Sequence, residues 1–251
     1  MNVLRSEWIK LRTVLVHWVL VLIAVAFPVV VTVLVSIFAD VDFGGMSSRD
    51  IADLIVGLSI VSSMLLGTTA AISLTSEYTH NTIRPTYAAN PRRLKVVLVK
   101  VALNTVVAIV VLAVIEVVSW VAASMILSSR DTDISLGDDR VLAYLASGVV
   151  LAALVSWFGF GLGLLIRNSP ATISVLLLWP LLIEGLLAVM FTLVNWDGAV
   201  KWLPYSAALS ATGSGEGGSD VLGRPGGQLL FAAVGAGLIV AGTLLDQRRD
   251  A

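Results

Sequence analysis

The sequence predicts an all-α polytopic membrane protein, a single transmembrane domain over residues 1–251. Of these residues, 57% are hydrophobic and 13% are charged, and the mean hydropathy is +0.94, whereas a soluble domain carries about 25% charged residues. The hydrophobic residues form blocks of about 20 or more, long enough to cross a bilayer as helices. This composition excludes a disordered protein, a nucleic-acid-binding protein and an ordinary cytosolic enzyme. The absence of cysteine excludes disulfides, thiolate metal sites and cysteine nucleophiles.

Six apolar segments are the predicted transmembrane helices. Each reaches or exceeds a hydrocarbon core of about 30 Å, at about 1.5 Å rise per residue. Backbone groups in lipid need partners within their own segment, so these segments are helical. A β-barrel would show alternating segments of about ten residues, and these segments do not alternate. The predicted spans are residues 14–38, 51–74, 96–127, 141–166, 171–194 and 228–245.

The charges in the connecting segments predict the orientation. One side of the membrane carries eleven cations against four acids, a net charge of +7, and the other side carries five cations against eleven acids, a net charge of −6. Two further acids lie within the spans and complete the total of −1. Because basic connections stay in the cytoplasm, we expect both termini to be cytoplasmic.

Residues 1–13 are predicted to form an interfacial (elbow) helix before the first span. Leu4, Trp8 and Leu11 recur at helical spacing, and the cations of the segment lie on other faces. Such a helix lies in the cytoplasmic interface with its basic side chains near anionic headgroups. The alternative interpretation is a basic flank that only sets the topology.

The connection between the second and third spans, residues 76–95, contains several helix-ending and helix-starting signals. Asn81 tolerates a left-handed backbone and can end the second helix, and Pro85 suits the first turn of a short helix. Asn90 followed by Pro91 is typical of an N-cap and first residue of the third long helix. The segment therefore predicts a compact turn–helix–turn presented to a partner rather than a plain solvated loop.

The outer connection, residues 195–227, is too long for a simple turn. Its first half is apolar and holds Trp196, Trp202 and Tyr205, which suit a membrane interface. This half predicts one or two short re-entrant or interfacial helices, and the glycine- and serine-rich second half predicts a flexible connection.

The first cytoplasmic connection also carries a family resemblance, to the membrane subunits of type-2 ABC transporter permeases. Many bacterial members have a similar Glu–aromatic–Arg–His–Gly–Thr–Ile–Arg run followed by Pro–Arg–Arg. Together with the basic start and the six spans, the resemblance covers nearly the whole chain. The sequence departs from the pattern at Thr79, where arginine is common, and at Asn81, where glycine is common. Asn90 and Lys100 are part of the match, and its other positions are Glu77, Tyr78, Thr82, Ile83, Arg84, Pro91, Arg92 and Arg93.

The resemblance implies that these eight residues form a coupling segment that docks into an ATP-binding subunit. The sequence contains no G-x-x-x-x-G-K-[ST] phosphate loop, so ATP and Mg are expected on a separate ATPase, present in two copies. A second permease subunit, identical or paralogous, is expected beside this chain in the bilayer of a bacterial plasma membrane. No catalytic, cofactor-binding or metal site is expected on this chain.

Glu116 and Glu184 are the acids well inside the predicted spans. An intramembrane acid is costly and indicates function by default. Glu184 follows Trp179 and Pro180, where the proline can kink the fifth span. This carboxyl could face a subunit seam or a pathway, or it could bond to a neighbouring helix. For Glu116 a structural bond is the favoured interpretation.

The expected function is ATP-driven export of a hydrophobic or amphipathic compound such as a drug, an antibiotic or a lipid. One alternative is an ion-coupled secondary transporter that uses Glu116 and Glu184, and another is a non-transporting membrane scaffold or sensor. The two halves of the chain show no evident repeat and no paired broken helices, which disfavours the ion-coupled carrier.

Overall fold

The computed structural model describes residues 3–38, 46–90, 92–130, 132–137, 140–212 and 222–248, and all their regular structure is helical, as predicted. A π-helical segment, Trp179–Glu184, joins two of the helices, and a 3-10 segment, Asp197–Trp202, follows later. In chain order the α-helices are α1 (Val3–Thr13), α2 (Leu15–Phe38), α3 (Ser48–Thr79), α4 (Ile83–Ala89), α5 (Arg93–Ser128), α6 (Val141–Ile166), α7 (Ser169–Leu178), α8 (Gly185–Leu193), α9 (Pro204–Ala211) and α10 (Arg224–Arg248).

Helices α2, α3, α5, α6 and α10 are each long and apolar enough to cross a membrane. A sixth span exists if α7 and the helix that follows it form one crossing, because the two are bent by 41° at the break between them. Pro180 lies in this break, within the π-helical segment. Proline lacks the N–H that an α-helix needs and clashes with the preceding turn, so the kink predicted for the fifth span is confirmed there.

Two of the helices are longer than a bilayer requires. Helix α3 has 32 residues and α5 has 36, which correspond to about 48 and 54 Å, against a hydrocarbon core of about 30 Å. The end of α3 and the start of α5 meet α1, α4 and the end of α10. We call this end of the molecule the basic end; it contains α1, α4, the end of α3, the start of α5 and the end of α10.

The centre of the fold is α6, which packs against α3, α5 and α10. Close approach of α3 and α6 depends on Gly159, because a Cβ there would overlap the carbonyl oxygen of Gly67. Helix α2 lies at the periphery, and its Leu15 and Leu22 are largely exposed. In a membrane, this periphery contacts lipid.

The turn into α5 differs from the prediction. Asn81 has a φ of 56°, the left-handed conformation predicted for it, and Pro85 lies in the first turn of α4. Asn90, however, does not cap α5; its backbone is extended and its N–H donates to the Thr86 carbonyl at the end of α4. The residue before a proline is biased to extended backbone, so the chain passes Pro91, which lies outside the described residues, and α5 begins at Arg93.

The outer connection contains the 3-10 segment and α9 among its described residues. Helix α9 packs against α10 and buries Ala207 and Ala208. Trp196 and Trp202 stay exposed. The glycine- and serine-rich stretch, residues 213–221, lies outside the described residues.

Candidate functional site

Four charged side chains from α1, α3 and α5 meet at the basic end. Lys100 is only 2% exposed, and its Nζ donates to Glu77 Oε1 at 2.7 Å and to Glu7 Oε2. Lys10 Nζ lies 2.8 Å from Glu7 Oε1 and 2.7 Å from Glu77 Oε1. We call these residues the four-charge cluster: Glu7, Lys10, Glu77 and Lys100.

The four-charge cluster is balanced and joins helices that are far apart in sequence. A buried charge is tolerated only when it is paired and hydrogen-bonded, so the two carboxylates hold Lys100 in place. The Lys10 side chain is 40% exposed and its Nζ also reaches Thr86 Oγ1 of α4 at 3.4 Å. Burial lowers the pKa of Lys10, but hydrogen bonds to Glu7 and Glu77 outweigh this and raise it above its ordinary value. Lys10 therefore stays protonated and links α4 to the cluster.

A second buried network surrounds Asp246 at the end of α10, and we call it the Asp246 network. The Asp246 carboxylate accepts hydrogen bonds from Tyr78 Oη at 2.5 Å, Tyr87 Oη at 2.7 Å and Arg167 Nη2 at 2.6 Å. Arg93 Nη1 donates to the Asp246 carbonyl oxygen at 2.7 Å. One residue of α10 thus contacts α3, α4, α5 and the connection after α6.

The two guanidinium groups of the Asp246 network lie over its aromatic rings. Arg93 lies over the Tyr87 ring at 5.1 Å and Arg167 over the Tyr78 ring at 4.8 Å, which are cation–π distances. Burial, Tyr78 and Asp246 together raise the pKa of Tyr87. Its hydroxyl group therefore stays neutral and donates to the carboxylate at every physiological pH.

Helix α4 has one buried and one exposed face. Ile83 and Tyr87 are buried against Val3 and Val96, whereas Arg84 and its neighbour Pro85 are exposed. The inner face is bonded to the rest of the chain through Thr86 and Tyr87. The outer face is basic and open.

The eight residues predicted for ATPase coupling fall into an inward-pointing group and an exposed group. Glu77, Tyr78 and Ile83 point inward, and Arg93 joins the Asp246 network. Thr82, Arg84 and Arg92 are exposed, and Pro91 lies outside the described residues. Among the described members, Thr82, Arg84 and Arg92 are the most open to direct contact with a partner.

Sequence reasoning missed six residues of these two groups as functional candidates. Glu7 and Asp246 entered the sequence analysis only as topology charges, although each is an acid within a basic terminal segment. Lys100 carried a signal that could have found it, since it lies inside an otherwise apolar stretch and needs a carboxylate nearby. The residues missed are Glu7, Lys10, Lys100, Tyr87, Arg167 and Asp246.

Glu184, predicted as an intramembrane polar residue, is bonded to a neighbouring helix. Its carboxylate accepts from the backbone N–H of Tyr205 at 2.8 and 2.9 Å and of Ser206 at 3.2 Å. The Trp179 indole N–H donates to it at 3.0 Å. Because helix N-termini favour negative charge, Glu184 acts as the N-terminal cap of α9.

Glu116 is buried in α5 with fewer partners. Its Oε1 has no hydrogen-bond partner among the described residues. A Cβ at Gly148 of α6 would overlap this oxygen, so Gly148 leaves room for the carboxyl. Glu116 and Glu184 share no hydrogen-bond partner among the described residues.

Comparison with known proteins gives one match. No curated protein and no solved structure matches the chain significantly. The family model described as ABC-2 family transporter protein matches residues 3–194, a range that covers α1 to α8 and every residue of the four-charge cluster. The chain therefore belongs to the ABC-2 transporter family, whose members are the membrane permease components of ABC transporters.

Proposed function

We propose that this chain is the permease subunit of an ATP-driven ABC exporter. It moves a hydrophobic or amphipathic compound, such as a drug, an antibiotic or a lipid, outward across the membrane, and a separate subunit hydrolyses the ATP. Membership of the ABC-2 family supports the permease role. The observation that supports coupling to a motor is the attachment of α4, whose inner face is bonded to the bundle while its outer face is open.

The four-charge cluster and the Asp246 network would transmit a displacement of α4 to the membrane-spanning helices. Thr86 connects α4 to the four-charge cluster, and Tyr87 connects it to Asp246 on α10. A hydrogen bond to a charged group contributes about 1.5–3 kcal/mol. A displaced α4 therefore carries the ends of α3, α5 and α10 with it, which is a rigid-body switch between packed states.

The ATPase contact is the exposed surface of α4 and the turn before it, with Thr82 and Arg84, whereas Arg92 belongs to the start of α5. The positive charge of this surface predicts acidic residues on the ATPase face that receives it. The basic end is cytoplasmic by the positive-inside rule, where ATP is available. Two permease subunits and two ATPases form the working transporter, because one unit of this size encloses no evident pathway.

The docking part of the proposal is tested by copurification with the ATPase. We expect Arg84→Ala to weaken ATPase binding about tenfold, the effect of about 1.4 kcal/mol at an interface, without changing the stability of the permease. Arg12→Ala removes an exposed cation from α1 instead and is the matched control. Copurification that is lost equally in both variants, or in neither, contradicts docking through α4.

The transport part is tested in vesicles that contain the permease and the ATPase. We expect accumulation of an exported dye or antibiotic to require ATP and to stop with a motor-dead ATPase. Transport that needs a proton gradient and no ATP would instead identify an ion-coupled carrier, and Glu116→Gln would then abolish it.

A further inference from the structure

We propose that the groove at the start of α5 binds an anionic phospholipid, with the headgroup on two cations and an acyl chain along α5. The groove measures about 730 Å³, within the range of about 300–1,000 Å³ that is typical of ligand pockets. It lies between Leu4 of α1 and Gln247 of α10, and α5 forms its floor. We call it the lipid groove; Arg92 and Lys95 lie at its mouth, and Leu98 and Ala102 lie further along α5.

No acid among the described residues that line the lipid groove compensates its positive charge. Arg92 and Lys95 are exposed, and neither makes a side-chain hydrogen bond or ion pair with another described residue. Arg93 beside them is held by the Asp246 carbonyl oxygen and the Tyr87 ring. The described residues that line the groove include three cations and no acid. This is the composition of a site for an anionic headgroup between membrane helices.

The first turn of α5 adds to this preference. Its N-cap residue, Arg92, makes no side-chain capping bond, and the start of a helix carries the positive end of the helix dipole. A phosphate near this helix end is favoured by the dipole. The cations and the helix end therefore favour the same ligand.

The apolar part of the groove indicates a lipid rather than an acidic protein. Leu98 is 55% exposed, and Ala102, one turn later on the same face, is exposed too. Both belong to a helix long and apolar enough to cross the membrane. Leu4 faces the groove from α1, the predicted interfacial helix. A partner in the cytoplasm reaches Arg92 and Lys95, whereas a phospholipid reaches these cations with its headgroup and covers Leu98 and Ala102 with its acyl chain.

The test measures lipid binding to the purified full-length chain in neutral detergent. Phosphatidylglycerol or phosphatidylcholine is titrated in, and native mass spectrometry counts the bound lipids. We expect R92Q/K95Q to weaken phosphatidylglycerol binding roughly thirty-fold, because each cation near an anionic headgroup contributes about 1 kcal/mol. Binding of phosphatidylcholine stays unchanged.

Two further variants separate this site from general charge attraction. Ala102→Trp fills the apolar part of the groove without changing its charge, and we expect it to weaken phosphatidylglycerol binding several-fold. R84Q/R12Q removes two cations outside the groove and should bind phosphatidylglycerol like the unaltered chain. Equal losses in R84Q/R12Q and R92Q/K95Q, or no loss in Ala102→Trp, would overturn the proposal. So would unchanged lipid binding in R92Q/K95Q with loss of ATPase copurification, which would assign the cations to the ATPase.

Discussion

Buried acids occur both at the basic end and beside the outer helix α9, but their partners differ. Glu7, Glu77 and Asp246 pair with cationic side chains of other helices, across separations of up to 93 residues for Lys100 and 79 for Arg167. Glu184 pairs with backbone N–H groups only 21 and 22 residues away. The first arrangement joins the ends of helices distant in sequence, whereas the second anchors one short helix locally. The difference indicates where movement can be transmitted through the subunit.

The largest expected effect on the contacts at the basic end comes from Lys100→Met in the four-charge cluster. The substitution keeps the volume of the side chain but leaves Glu7 and Glu77 with one cation between them. Removing one partner of a buried charge pair costs about 3–5 kcal/mol, and we expect a loss of that size in the free energy of unfolding, measured by denaturant titration in detergent. The double variant Lys100→Met/Glu7→Gln restores the charge balance, so it should recover more than about 1 kcal/mol. A double variant as unstable as the single one would show that charge is not what the cluster contributes.

Asp246→Asn tests the Asp246 network in the same way. The amide oxygen can still accept from Tyr87, but the ion pair with Arg167 is lost. Hydrogen bonds to charged groups contribute about 1.5–3 kcal/mol each, so we expect a loss of about 2–3 kcal/mol and faster hydrogen exchange in the last two turns of α10. Gln247→Ala, at the exposed neighbouring position, is the control. Equal exchange rates in the two variants would contradict a special role for the carboxylate.

The fold class could be predicted because hydrophobicity is a local property of each segment. Five long helices cover five of the six predicted spans. The break in the remaining one, the fifth span, follows from Pro180, whose effect is fixed by its own ring. The predicted start of α5, Pro91, was two residues before the observed start at Arg93. The prediction was wrong because Asn90 could serve either as the end of one helix or as the cap of the next. That choice depends on Thr86, the acceptor of the Asn90 N–H.

The partners at the basic end could not be predicted in the same way. Glu7 is an ordinary acid in a basic segment until the fold brings it to Lys100, and Asp246 is an ordinary acid until it meets Tyr87. Such pairs depend on the packing of α1, α5 and α10, for which a single sequence carries no local signal. The family motif identified Glu77 and Tyr78 as candidates, but it did not indicate that both side chains point inward.

Glu184→Ala tests whether the bonds of Glu184 act locally on α9. It removes the acceptor of the Tyr205 and Ser206 N–H groups, and loss of an N-cap costs about 1 kcal/mol. We expect hydrogen exchange at these two amides to increase about fivefold, while exchange at the basic end stays unchanged. Glu184→Gln keeps an acceptor oxygen and should show a smaller increase. If Glu184→Ala instead abolished transport without changing exchange in α9, Glu184 would serve the pathway rather than the cap.

The smallest expected effect comes from Lys10→Met, which compares two lysines with the same two carboxylate partners. Lys10 is 40% exposed and Lys100 is 2% exposed at the side chain, so water already screens the Lys10 pairs, and pairs of this kind contribute at most about 1 kcal/mol. Because its pairing with Glu7 and Glu77 raises the pKa of Lys10, its contribution is complete below the ordinary lysine pKa and is lost only as the pH rises through the raised value. Unfolding measured between pH 6 and 9 should therefore show the same small difference throughout. A loss as large as that of Lys100→Met would mean that both cations, rather than the buried one, hold α1 to the bundle.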